Sequence, residues 1–176
     1  KSGIIFSQER KDAGFRSALC ADVERPDLKP FIPRNLRHFM PEEAQYAYMA
    51  TRSALENAKL DQDYMDRNEI GIIYGNDSVA EATMQALDKF REFKDTSACG
   101  SGAIFQSMNS TVTMNLACLL KLRGINLTAS AACASGSQAI GLAYTLIRSG
   151  MQDCIICGGA QETNLYSVAS FDGIQS

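Results

Sequence analysis

The sequence contains a single histidine, His38, and no stretch near the roughly 18 consecutive apolar residues of a membrane-spanning helix. Its opening, Lys1-Ser2-Gly3-Ile4-Ile5-Phe6, lacks a signal-peptide core, so the expectation is a soluble, cytoplasmic protein with no membrane partner. A basic surplus is missing too. Against 20 acidic side chains stand 17 Lys and Arg, for a net charge of -3, and no dense basic run occurs, which argues against nucleic acid as a partner. The pair Cys154-Ile155-Ile156-Cys157 has neither a second C-x-x-C nor a histidine cluster to complete a metal site. It sits in a short apolar run that reads as a strand, where residues three apart point to opposite faces, so a redox couple fits no better. Six cysteines scattered over the chain lack the density of a secreted disulfide scaffold, and reduced thiols are expected.

What is present is enough for a globular core. A chain of 176 residues, 45% hydrophobic, can bury roughly 70% of the surface its unfolded form exposes. Residues 1–40, interrupted by Pro26, Pro30 and Pro33, read as an irregular excursion with short strands and turns. Residues 41–176 read as an α/β core. Pro41 followed by Glu42 and Glu43 starts a helix running to about Lys59, with Ala47, Ala50, Ala54 and Leu55 at helical spacing. Ile70 to Gly75 reads as a buried strand, ended by the cap-rich Asn76-Asp77-Ser78 and followed by a helix from Val79 to Phe93.

The segment from Asp95 to Gly102 reads as a flexible linker. Its Cys99-Gly100-Ser101-Gly102 has no preceding strand and no Lys-Ser/Thr ending, so it does not cradle phosphate. A helix from about Met108 to Leu120 should close with Lys121, Arg123 and Gly124. After Cys133, Ile140, Ala143, Tyr144 and Ile147 fall at the spacing of a buried stripe, and the strand Cys154 to Ala160 follows. Strand, helix, strand is a crossover unit. The pattern therefore predicts a layered α/β/α domain on a mixed or parallel sheet.

The chemistry centres on Thr128-Ala129-Ser130-Ala131-Ala132-Cys133-Ala134-Ser135-Gly136-Ser137. A strand-like run, Ile125 to Thr128, feeds small residues, then a cysteine, then a helical pattern. Such a turn places Cys133 at a helix N-terminus, where unpaired N–H groups and the positive dipole end favour a thiolate. The small neighbours leave room for a substrate carbonyl, so Cys133 is the candidate nucleophile. The alternative is that Cys133 is a small buried filler. Ser130, Ser135 and Ser137 are expected to serve the turn. Glu162 is read as a structural carboxylate that caps or pairs locally, and His38 as a surface or interface residue.

Ala132-Cys133-Ala134-Ser135-Gly136, then Ile140-Gly141, Gly150-Met151-Gln152-Asp153 and Cys154-Ile155-Ile156-Cys157-Gly158-Gly159-Ala160, resemble the β-ketoacyl-acyl carrier protein synthases of the thiolase superfamily. Lys1-Ser2-Gly3-Ile4 with Phe6-Ser7-Gln8-Glu9 resembles that family's early loop, Gly124-Ile125-Asn126 its approach to the nucleophile, and Phe171-Asp172-Gly173 the turn after its next helix. The elongating class I branch of bacterial fatty-acid synthesis is the most similar.

The resemblance implies one half of a pseudo-duplicated thiolase-like fold. The chain, lacking an initiator methionine, would open inside a loop of that fold and stop before its second half. It implies fatty-acid chain elongation by decarboxylative Claisen condensation, with Cys133 as nucleophile and its own backbone N–H in the oxyanion hole. Acyl and malonyl carrier protein would be the partners, the assembly a homodimer, and no metal, flavin or nicotinamide cofactor would be needed. Phe105 and Met108 become candidates for the acyl pocket or the dimer interface. Two histidines that the family pairs with its cysteine would lie beyond Ser176, leaving this chain alone inactive. Polyketide ketosynthases share these motifs, a thiolase or starter-unit synthase keeps a cysteine at a similar turn, and a noncatalytic ketosynthase-like partner usually carries glutamine in place of Cys133.

Overall fold

The computed structural model describes residues 2–174; Lys1 of the opening motif, and Gln175 and Ser176, lie outside them. In chain order come β1 (Ile5–Phe6), α1 (Gln8–Asp12), β2 (Leu19–Cys20), α2 (Arg34–Arg37), α3 (Glu42–Ala58), α4 (Gln62–Arg67), β3 (Ile70–Gly75) and α5 (Glu81–Phe93). A 3-10 turn at Thr96–Cys99 precedes α6 (Ala103–Gln106), α7 (Thr111–Leu120) and β4 (Asn126–Ala129). A second 3-10 turn, Ala132–Ala134, opens directly into α8 (Ser135–Arg148), followed by β5 (Cys154–Gly159) and α9 (Leu165–Gly173).

The main sheet is parallel, with strand order β4-β3-β5; antiparallel pairing is confined to the small β1-β2 ribbon among the described residues. Every residue of β3 is buried, as suits a central strand covered on both faces. Alternation divides its side chains. Ile72 and Tyr74 join Val112 and Leu116 of α7 and Ala44, Ala47 and Tyr48 of α3 in the larger core, to which Leu28 and Ile32 of the opening excursion also belong. Ile70 packs with Leu55, Met65 and Leu120. Ile73 turns the other way, onto Ala139 and Ala143 of α8. The layers are thus α3 and α7, then the sheet, then α8. Each large aliphatic side chain fully enclosed here contributes about 1.5–3 kcal/mol.

The amino edge of the sheet is closed by one buried amide. Gln152 donates from Nε2 to the Glu69 carbonyl at 2.8 Å, and its Oε1 accepts from the Ile125 N–H at 3.0 Å, joining the approaches to β3, β4 and β5.

Three expectations need correction. The stripe Ile140, Tyr144, Ile147 is not buried: these residues are 56%, 61% and 42% exposed, and α8 meets the sheet through Ala139 and Ala143. Close approach of the helix to β3 admits only small side chains there, so the sheet-facing stripe is Ser135, Ala139, Ala143. Residues 95–102 do not form a flexible linker; the 3-10 turn packs on α5, with the Cys99 thiol donating to the Ala86 carbonyl at 3.5 Å. Gly124 does not cap α7. Lys121 takes the left-handed C-cap position itself, with φ 54°.

Candidate active site

The strand register brings Gly75 level with Ala129 of β4 and Gly159 of β5, so all three strands end at one edge. Open α/β sheets bind ligands at this carboxyl edge. From Ala129 the chain turns through Ser130 and Ala131 into the Ala132–Ala134 turn, and α8 begins at Ser135. Cys133 is exposed there, in the 3-10 turn and one residue ahead of Ala134, the N-cap of a 14-residue helix. The buried-filler alternative is thereby set aside.

Two features force α8 to start where it does. A Cβ on Gly75 would lie 2.3 Å from the Ser135 carbonyl carbon and 2.4 Å from the Gly136 nitrogen, so only glycine lets β3 end beneath the helix. The Ser135 hydroxyl then closes the turn, accepting from the Ala131 N–H at 2.8 Å and donating to the Ala132 carbonyl at 2.7 Å. Ser135 serves the turn, as expected. Ala132 sits at φ 48°, in the left-handed region that costs a residue with a Cβ about 1 kcal/mol.

Asp77, just past β3, meets the same turn. Its Oδ1 accepts from the Ser130 hydroxyl at 2.7 Å and from the Ala132 N–H at 2.8 Å. Those two hydrogen bonds, the Ser130 bond first, hold its carboxyl below the usual carboxylate range. The loop carrying Asp77 is itself braced. Asn76 donates to the Asn109 carbonyl at 3.0 Å, Asn109 donates to the Asp77 carbonyl at 2.7 Å, and Gln161 donates to the Ser78 carbonyl at 3.2 Å. A cleft of about 450 Å³ opens over this edge, lined by Gly75, Asp77, Cys133, Gly159, Gln161 and Phe171 among others.

Asn76-Asp77-Ser78 reads in sequence as a capping cluster, yet none of its side chains caps α5. Glu162 does so instead. Its carboxylate, 2% exposed, accepts from the N–H groups of Ala80 and of Glu81, the latter at 3.2 Å, and from Asn164 Nδ2 at 2.9 Å. The local structural role expected for Glu162 is the one it has. Asp77, Asn109 and Gln161 were not singled out for the site from sequence, because they come together only through parallel pairing of strands distant in the chain.

The remaining candidates lie elsewhere. Phe105 meets Phe39 edge-on, with ring centroids 5.3 Å apart, and lines an apolar pocket of about 220 Å³ with Leu36, Met114, Cys118 and Leu119. That pocket shares no lining residue with the Cys133 cleft. Met108 lines neither; its carbonyl accepts from the Thr111 N–H at 2.9 Å at the start of α7. His38 is exposed and packs against Gly102, where an added Cβ would come within 2.8 Å of its Nε2. Cys154 and Cys157 face opposite sides of the sheet, one toward Leu55 and Met65, the other toward Ala139 and Ala143. Burial pushes both thiols up. Phe171 and Asp172 lie within α9 rather than in a turn after it, and the Asp172 carboxylate accepts from the N–H groups of Arg16 at 2.9 Å and Ser17 at 3.0 Å.

Residues 16–174 match the family model described as the N-terminal domain of β-ketoacyl synthase. The chain belongs to that family. A 3-oxoacyl-[acyl-carrier-protein] synthase 1 from Haemophilus influenzae is 33% identical over 177 aligned residues, covering 99% of this chain and 43% of the relative. The crystal structure of a β-ketoacyl synthase from Burkholderia phymatum superposes with a TM-score of 0.86 at 28% identity, covering 99% of this chain and 43% of that one. A type II polyketide ketosynthase solved in complex with its acyl-carrier protein shares the fold at 23% identity and a TM-score of 0.75, over 85% of this chain. This β-ketoacyl synthase domain therefore spans less than half the length of the relatives it matches. Among its described residues no helix is long and apolar enough to cross a membrane, and no three His, Cys, Asp or Glu side chains are grouped to hold a metal.

Proposed function

We propose that Cys133 accepts an acyl chain from a carrier-protein thioester and that the intact protein extends this chain by two carbons from malonyl carrier protein. The observation that carries the reading is the exposed thiol at the head of α8, in an open cleft at the carboxyl edge of a parallel sheet. The relatives, 3-oxoacyl-[acyl-carrier-protein] synthases, supply the substrate class.

In the first step the Cys133 sulfur attacks the thioester carbonyl carbon and a new C–S bond forms. The negative charge passes to the carbonyl oxygen, which the Cys133 N–H and the positive end of α8 would stabilise. Collapse of that intermediate breaks the old C–S bond, and the departing pantetheine sulfur takes up, through solvent, the proton that the Cys133 thiol gave up on attack. In the second step malonyl thioester loses carbon dioxide, its enolate carbon attacks the acyl carbonyl on Cys133, and the Cys133 thiolate departs as the 3-oxoacyl product forms. Residues activating the malonyl step would belong to a part of the protein outside this chain. The lone histidine supports this division, since His38 packs against Gly102 rather than lining the cleft.

On this reading the outward face of α8, with Ile140, Tyr144 and Ile147 exposed, is covered by a second half-domain. The unpaired edge of β4, with Leu127 44% exposed, suits a homodimer contact. Fatty-acid elongation is favoured over a polyketide role by the higher identity to the fatty-acid relatives. The test is condensation measured as 3-oxoacyl product from acyl and malonyl carrier protein. The intact protein should turn over, Cys133→Ala should not, and residues 1–176 expressed alone should form no product. Turnover by Cys133→Ala would reject the assignment.

A further inference from the structure

One pair of hydrogen bonds on the Cys133 turn comes from a residue outside the Cys133 motif. Asp77 follows β3, and one of its carboxylate oxygens receives two bonds, from the Ser130 hydroxyl at 2.7 Å and from the Ala132 N–H at 2.8 Å. Both donors lie on the segment that places Cys133. Ala132 stands in the left-handed region, φ 48°, where an alanine needs an external restraint. The same residue's carbonyl is held from the other side by the Ser135 hydroxyl at 2.7 Å. Asp77 cannot easily give way, because Asn109 fixes its carbonyl at 2.7 Å and Asn76 returns a bond to the Asn109 carbonyl at 3.0 Å.

We propose that Asp77 is a positioning residue for Cys133: by accepting from both Ser130 and Ala132 it holds the left-handed turn that aims the Cys133 sulfur into the cleft. It acts through the turn and does not itself touch the reacting atoms. The inference deepens the acyl-transfer reading and rests on it for its functional consequence, while the tether itself is a property of the turn. An acceptor oxygen is the requirement, so asparagine serves where alanine does not. A glycine at position 132 removes the need for the restraint, since it occupies positive φ without penalty.

The test follows the Cys133 turn by two readouts in the complete protein. One is the iodoacetamide labelling of Cys133 relative to exposed Cys118; the other is hydrogen exchange of the Ala132 amide. Asp77→Ala should lower the labelling ratio roughly tenfold and speed Ala132 exchange by a similar factor. Asp77→Asn should keep both within about threefold, and Ala132→Gly added to Asp77→Ala should restore the labelling ratio to that range. A labelling ratio unmoved by Asp77→Ala overturns the proposal, as does equal impairment by Ala and Asn. Should Asp77→Ala fail to fold, Asp77→Asn decides: values within threefold support the tether, and a tenfold loss in either readout overturns it. Neither readout needs an acyl substrate. A parent protein that labels as expected but takes up no acyl chain would reject the acyl-transfer reading and leave the tether standing.

Discussion

The two edges of the parallel sheet are built for opposite ends. At the amino edge Gln152 is 5% exposed, and its two bonds join segments of the chain that approach three strands. At the carboxyl edge the same three strands end in Gly75, Ala129 and Gly159, and removing side chains leaves space for a helix head and a cleft. One edge uses a buried amide to close; the other uses absent side chains to open. The difference teaches that the site is made by what β3 and β5 lack, while the sheet's register is held from the far end.

The comparison breaks most visibly at Gly75. Gly75→Ala places a Cβ 2.3 Å from backbone carbon of Ser135, so the head of α8 must move. A displacement of the order of 1 Å at a reacting group costs roughly a hundredfold in rate, and acyl uptake at Cys133 should fall by that order. Gln152→Ala, at the other edge, removes the partner of the Ile125 N–H and of the Glu69 carbonyl, both part-buried bonds, at a cost of up to about 1–3 kcal/mol in all. Chemical denaturation should show that loss, while the Cys133 labelling ratio of the folded variant stays within about twofold. Equal damage to labelling by both variants would erase the distinction between the edges.

A smaller effect sharpens it through pH. Glu43 lies near the start of α3, fully buried, with neither carboxylate oxygen hydrogen-bonded to another residue. Burial is the main cause that pushes its carboxyl up to about 8; its own backbone N–H comes next and opposes this, and the charges of Glu162, Glu42 and Glu81 add smaller rises. With the folded value raised above an ordinary 4.5, the native state holds the proton longer than the unfolded chain does. Its contribution to stability is therefore complete below about 4.5, falls as pH rises, and is gone above about 8. Glu43→Gln should flatten that decline, gaining up to a few kcal/mol at pH 9 and little at pH 4. Equilibrium unfolding across the range checks it; parallel curves for the two proteins would contradict it.

Much of this was legible in the sequence. Ile70 to Gly75 reads as a buried strand because its aliphatic run is short, β-branched and bounded by turn residues, and the observed strand has those bounds. Small residues after a β-run, then cysteine, then a helical pattern, located Cys133 at a helix head. The outer face of α8 misled because periodicity finds an apolar stripe without saying which neighbour it meets; alanines, counted as weakly apolar, are what the sheet accepts. The helix ends were hidden by lysine. Lys59, Lys94 and Lys121 take left-handed C-cap positions at φ 57°, 53° and 54°, where glycine is the expected signal. Asp77 was unreadable as part of the site because Asn-Asp-Ser after a strand looks like a helix cap, and only the pairing of β3 with β4 sets its carboxylate against the Ala132 N–H.

On the proposed reading the sulfur at the head of α8 carries the acyl group. Mass spectrometry of the complete protein, after brief exposure to an acyl-carrier-protein thioester and acid quenching, tests it most directly. One acyl adduct is expected, on the peptide containing Cys133, released by hydroxylamine as a thioester should be. An adduct on Cys20, Cys99, Cys118, Cys154 or Cys157 in its place, or an unmodified Cys133 under conditions where product accumulates, would contradict it.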